Sequence, residues 1–449
     1  MKRKSMKKEL RFAFVIILLV VFQVSSQEKE IITKEEAIAR ALENNFGIKI
    51  ARNQVEIAEN NQGILNSGYL PRLRGQAGAG YDLNDRLTEP EDRENVDQKG
   101  IESNRYNASI NVDYTLFDGL GRLYNYKSLK EQYDLSQLEA RETIENTILQ
   151  LMSVYYEIAR LTQNIEVLQD VLETSQERVT RAQYQFDYGQ TNNLAVLNAR
   201  VDVNNDSINL LETRQQLHNT KRDLNVLLDR EIIDKEFVVD TTVGFIPELQ
   251  LEAFVEEAAL NNVSLLQIEK NLNISDYDIK ISKSAYLPTI DLTGSYGWNR
   301  NRSAATAFFP GSTTTTDGIS AGVSLNWNLF DGGGTSVRVQ NAKINYENQE
   351  LLKKQIELEV KRNIANAWGN YQNKLYIFRV QEENVTTNQD NFERSEEQFK
   401  LGRITSIEFR QAQVNLLDAQ TSLNLAKYDA KLAEMELLQL TGQLLNIKL

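Results

Sequence analysis

Any chemistry in this sequence has to come from carboxylates, glycines and one imidazole. There is no cysteine and a single histidine, His218. Thiol nucleophiles, disulfides, cysteine-bound metal and histidine-based triads or metal sites therefore have no residues to build them. His218 lies in a helical stretch and reads as a solvated helix residue. The triple glycine Gly332 to Gly334 follows a strand pattern and opens a helical one. A phosphate loop would also need the longer glycine spacing ending in Lys and Ser or Thr, so the run reads as a strand-to-helix corner. The acidic residues, 63 against 50 basic, are spread over helical segments as solvated faces. Neither an enzyme nor a cofactor is expected.

The residues Met1 to Ser26 set six basic side chains ahead of the apolar run Phe12 to Phe22 and end in small residues. This is the pattern of a secretory signal peptide, too short in its apolar part to span a bilayer. Its removal would leave 44 basic against 62 acidic residues, moving the formal charge from -13 to -18. That balance argues against nucleic acid as a partner. Export without disulfides suits a bacterial envelope protein. No later window holds 18 consecutive apolar residues, so membrane entry would have to be as a barrel.

The positions of these features follow from a duplication. YLPRL at Tyr69 recurs as YLPTI at Tyr286, and LFDG at Leu116 recurs at Leu329, at shifts of 217 and 213. The shift of 213 also carries Phe186, Gly189 and Ala199 onto Phe399, Gly402 and Ala412. Two tandem copies are expected, within 27–230 and 248–449, joined by a linker at 231–247.

Each copy changes hydrophobic period along its length. Thr33 and Glu36 form a capping box that predicts a first helix to about Asn66. After Pro71 the period becomes two: Ile110, Val112, Tyr114 and Leu116 alternate with Ser109, Asn111, Asp113 and Thr115, and Ile319 to Leu329 repeats the pattern. The runs Leu73 to Leu83 and Ile290 to Trp298 alternate likewise. The polar segments Asn84 to Arg105 and Asn299 to Asp317 read as surface loops. Beyond each LFDG, with Asp118 or Asp331 as N-cap, a helical stripe runs unbroken to the next glycine.

The predicted helices Gly119–Tyr188 and Gly333–Leu401 are each roughly 105 Å long. The return helices, Asn192–Leu228 and Thr405–Leu440, together with the first helices, Thr33–Asn66 and Glu248–Ala285, match that length end to end. Antiparallel helical staves follow. Four strands of about 10 residues fit a tilted bilayer crossing. A four-stranded sheet leaves two open edges in lipid, so closure needs several chains. Tyr81, Tyr114, Tyr296, Trp298 and Trp327 near strand ends fit an aromatic girdle.

The duplicated plan, the YLP and LFDG motifs around alternating strands, and the glycine-containing helical turns together resemble the TolC-type outer-membrane efflux protein family, over essentially the whole mature chain. The resemblance implies a fold dominated by long α-helices with β-strands. In it, a homotrimer forms a 12-stranded transmembrane β-barrel in outer-membrane lipid, continued by a 12-helix periplasmic coiled-coil tunnel. It also implies a passive exit duct of a tripartite efflux pump or type I secretion system, reached by an inner-membrane transporter through a periplasmic adaptor (membrane fusion protein). The turns carrying Gly189, Gly402, Phe186 and Phe399 correspond to the tips where adaptors dock. Asp118, Gly119, Asp331 and Gly332 form the strand-to-helix corners. The family's two pore aspartates fall on Glu408 and Gln411, and an acidic partner position on Ala195, so the family's full set of closing contacts is absent. The alternative reading is a structural coiled-coil or adaptor protein without a pore, against which bilayer-length alternation occurring in both halves argues.

Overall fold

The computed structural model describes residues 30–230, 236–246, 251–306 and 309–446. The expected signal segment 1–26, and 231–235 and 247 of the expected linker, lie outside the described residues. The chain forms two compact units that do not follow the two sequence copies: one comprises Ala51–Glu142 with Asn262–Val360, the other the remaining segments.

The first unit holds four strands, β2 (Arg72–Thr88), β3 (Val96–Phe117), β5 (Thr289–Ser303) and β6 (Ser312–Asn326). They pair antiparallel in the order β2-β3-β5-β6, leaving β2 and β6 as edges. Register places Ala108 opposite Trp298, Ile110 opposite Tyr296, Val112 opposite Gly294 and Tyr114 opposite Leu292. Tyr296 and Leu292 in turn oppose Ile319 and Val323, so one face of the sheet is continuously apolar. Ile319 is 84% exposed in the single chain. The opposite face is polar and cross-linked: the Arg74 guanidinium donates to Asp113, the Thr115 hydroxyl to Asp291, and Ser295 pairs with Ser320.

The strands run to 15–22 residues, well past the expected 10, and take up most of what reads in sequence as polar loops. Beyond Trp298 both faces of β5 and β6 are polar, while on β2 Tyr81 and Leu83 extend the apolar face. Alternation fades there, while the backbone ladder continues. At its other end β6 stops at Asn326, so the second LFDG lies after the strand.

Helical segments complete this unit: most of α2 (Phe46–Gln62), α6 (Val263–Ser284), and the first parts of α3 (Gly121–Asp187) and α7 (Gly334–Lys400). On α7, Val337, Ile344, Leu351 and Leu358 repeat every seven residues and are 46–69% exposed.

The second unit contains β1 (Glu30–Ile32), α1 (Lys34–Asn44), the later parts of α3 and α7, α4 (Asn193–Leu227), β4 (Phe237–Val239), α5 (Leu251–Asn261) and α8 (Ser406–Leu440). Its core is aromatic and aliphatic. Tyr155 and Tyr156 are fully buried beside Leu151, Met152 and Ile158, and Tyr156 stacks on Tyr428 with centroids 5.6 Å apart. Burial pushes the Tyr155 hydroxyl up to about 12. That hydroxyl donates to Ile32 O at 2.8 Å and accepts from Asp240 N at 2.9 Å. It therefore ties down both strands of the parallel pair β1–β4, of which β4 lies in the expected linker and β1 at the start of the first copy. Lys427 Nζ and the Tyr428 hydroxyl donate to Thr241 O, and Lys431 Nζ to Gly244 O. Glu434, itself paired with Lys431, accepts from Ile246 N at 2.7 Å.

The first helix expected in each copy is broken in two, at Asn45 and at Asn262. Asn45 Oδ1 accepts from the amides of Gly47 and Ile48, and Asn262 Oδ1 from that of Leu265. Each asparagine ends one helix and caps the next. No described helix is long and apolar enough to cross a membrane.

Candidate functional site

At the end of α3 the chain turns through Gly189, whose φ is +72°, the same value as at Gly402 after α7. Glycine takes this left-handed conformation without a Cβ penalty. The hydrogen bonds match pairwise. Gly189 N donates to Phe186 O and Gln190 N to Gln185 O; Gly402 N donates to Phe399 O and Arg403 N to Gln398 O. Both are Schellman endings. The return helices are capped by Asn192, which accepts from Ala195 N, and by Thr405, which accepts from Glu408 N.

The structure sets the two turns side by side. Arg181 Nη2 donates to Phe399 O at 3.1 Å and Lys400 O at 2.8 Å, and its guanidinium covers the Phe399 ring at 4.8 Å. Phe399 stacks on Phe409 at 4.8 Å with planes 5° apart, and Phe409 on Phe392. Phe186 has no such stack among the described residues. It is exposed, beside exposed Tyr184 and Tyr188, because the counterparts of Phe409 and Phe392 in its own copy are Val196 and Val179.

Glu408 and Gln411 lie on the exposed side of α8, while Phe409, Ala412, Gln413 and Leu416 are buried. Glu408 completes a capping box: Thr405 N and the Thr405 hydroxyl both donate to Oε2 at 2.8 Å. These bonds, the backbone one first, hold its carboxyl below the ordinary value. Gln411 Nε2 donates to Asn415 at 2.7 Å.

Near the two turns a largely buried polar cluster joins the two helical hairpins. Arg410 makes a bidentate pair with Asp206, at 2.7 and 2.8 Å, and donates to Gln413 Oε1. The Ser175 hydroxyl donates to Asp206 at 2.6 Å. Arg178 pairs with Asp202 at 3.0 Å and reaches the Ser406 hydroxyl at 2.9 Å, while its buried Nε has no hydrogen bond among the described residues.

At the strand-to-helix corners, in the other unit, Asp118 Oδ2 accepts from Arg122 N and Nε at 2.9 and 3.0 Å. Asp331 Oδ2 accepts from Thr335 N and its hydroxyl at 2.7 and 2.6 Å. Neither aspartate is an N-cap, since two left-handed residues separate each from its helix: Gly119 and Leu120, or Gly332 and Gly333. A Cβ on Gly119 would stand 2.5 Å from Ser284 O.

The sequence profile described as "Outer membrane efflux protein" matches residues 37–229 and 254–443. The chain belongs to the outer membrane efflux protein family. Among curated relatives, it is 23% identical over 437 residues to the outer membrane efflux protein BepC of Brucella suis, covering 97% of this chain and 91% of that one. It is 23% identical to the outer membrane protein TolC of Vibrio cholerae, covering 84% and 83%. Among solved structures, the CmeC outer membrane channel of Campylobacter jejuni shares the fold with a TM-score of 0.76 at 17% identity, covering 92% of this chain and 86% of that one. As a member of the efflux family the protein is a channel of the outer membrane, in a family of channels and not of enzymes.

For this efflux protein, sequence reasoning located the two helical turns at Gly189 and Gly402 but missed the cluster beside them. Arg178, Asp202, Asp206 and Arg410 read as solvated helix charges. A signal was present in the comparison of copies, because the shift of 213 puts Asn391, Asn415 and Ala419 opposite the first three, and Leu197 opposite Arg410. Charge that breaks the repeat symmetry marks contact between the copies.

Proposed function

We propose that three copies of this chain close a 12-stranded barrel and a 12-helix tunnel. The assembly would act as the passive exit duct of a tripartite efflux pump or type I secretion system. The observation that carries this reading is the four-stranded sheet: one apolar face and two unpaired edges, which cannot stand in lipid until other strands cover them. The exposed seven-residue repeat on α7 supports it, since such a stripe is the seam of helix-to-helix packing. The element order, helix-helix-strand-strand-helix-helix met twice, supports reading residues 27–230 and 248–449 as tandem repeats.

In this reading the turns at Gly189 and Gly402 receive a periplasmic adaptor, which delivers cargo from an inner-membrane transporter that supplies the energy. Glu408, with Gln411 one turn on, lines the entrance. Full-length protein in detergent should give three chains per particle by light scattering and discrete conductance steps in planar bilayers. A stable monomer with intact strand signal would overturn the reading.

A further inference from the structure

The strand β5 carries the apolar face from Ile290 through Leu292 and Tyr296 to Trp298, and then continues on that same face with Arg300 and Arg302. The apolar part is 9 residues, about 26 Å at ~3.3 Å per residue, close to the height of a bilayer core. The two arginines therefore stand just past its edge, roughly 7 Å apart along the strand. They are at the hairpin end, opposite to where the strands join helices, which in the barrel reading is the external leaflet.

Their neighbours on this face are hydrogen-bonding groups. Thr315 and Thr313 oppose Arg300 and Arg302 across β6, and Tyr106 and Asn104 oppose them across β3. Two carboxylates are near. Asp317 sits opposite Trp298, and Glu102 lies one pair beyond Asn104, opposite Leu83. Both arginines are exposed, and neither makes an ion pair among the described residues.

We propose that Arg300 and Arg302, framed by Thr313, Thr315, Tyr106 and Asn104, bind the phosphate groups of a phosphorylated glycolipid in the external leaflet. This rests on the barrel reading of the sheet. Three features select that ligand. A guanidinium presents a planar fork that matches phosphate oxygens two at a time. The flanking hydroxyls and amide can donate to the remaining oxygens. The position, directly above an aromatic belt that faces acyl chains, favours an anion carried by a lipid over one in solution. Arginine at this depth costs little, because the penalty for charge on a lipid-facing strand falls away near the interface.

The test uses the full-length protein in detergent, titrated with bis-phosphorylated lipid A, with the same lipid stripped of its phosphates, and with inorganic phosphate, reading bound lipid and the thermal midpoint. Parent protein should bind the phosphorylated lipid and gain thermal stability with it alone. Arg300→Gln with Arg302→Gln should weaken binding by roughly tenfold or more, while Arg105→Gln, at the same height on the polar face, should not. Equal binding by the double variant, or equal binding of the stripped lipid, would overturn the site. An effect reproduced by inorganic phosphate would overturn the lipid as its source. Light scattering and bilayer conductance of the same samples keep the two levels apart. Trimeric, conducting protein without phosphate discrimination sinks the site alone, whereas protein that neither trimerises nor inserts sinks the barrel reading and the site with it.

Discussion

Glu408 serves as a helix cap and as a charge. Its carboxylate accepts two bonds from Thr405, which stabilise the ionised form and depress its pKa. By linkage, the stability it lends the α8 start is present above the unfolded-state value, and is lost as pH falls through the lower folded-state one. If three such carboxylates ring the entrance, cation preference in planar bilayers should weaken as pH falls and they protonate, with the bonds from Thr405 opposing that loss. Glu408→Gln should lower that preference at neutral pH with trimers intact, because glutamine keeps an acceptor for the cap. Selectivity unchanged from the parent's would show that Glu408 faces away from the pore. The buried Arg410–Asp206 pair makes a different prediction. Asp206→Ala removes the bidentate partner of a part-buried guanidinium that keeps Gln413 Oε1 and Asp202 within reach, and should cost about 1–3 kcal/mol in urea unfolding. Pairing it with Arg410→Met should recover much of the loss. Additive losses in the double variant would mean that the two side chains do not depend on each other.

At the scale of elements, the helical turns were legible because each has a specific chemical requirement. Gly189 and Gly402 are the residues for a left-handed ending, and Asn192 and Thr405 the residues for the caps that follow. Gly189→Val or Gly402→Val should strain its turn by about 1–2 kcal/mol. A Cβ at either glycine meets no neighbour within 4 Å among the described residues, so the loss should appear in export and adaptor binding while the barrel assembles. Unimpaired export in both variants would argue against docking there. The breaks at Asn45 and Asn262 were not legible, since asparagine within a helical period is tolerated and only local geometry reveals that its side chain replaces the backbone bond. Strand ends were missed where both faces turn polar. The cluster around Asp206 was missed because its partner Arg410 is 204 residues distant in the chain.

For the whole molecule, the exposed stripe Val337, Ile344, Leu351 and Leu358 should be buried by a neighbouring copy. Leu351→Glu with Leu358→Glu should then shift light scattering from three chains towards one, with helix content retained. A trimer as stable as the parent's would place the seam elsewhere. The pairing of β1 with β4 bears on how continuous the chain has to be. Ile32, which leads into the first copy, and Val239, which precedes the second, are register partners, and the Tyr155 hydroxyl binds Ile32 O and Asp240 N at once. Both leads are thus anchored independently of the peptide between Arg230 and Glu236. A nick in that segment should leave two pieces that still assemble when produced together. Equally, joining Leu449 to the first copy through a flexible tether, and opening the chain there, should give a reordered protein whose second half is synthesised first and whose channel is the same.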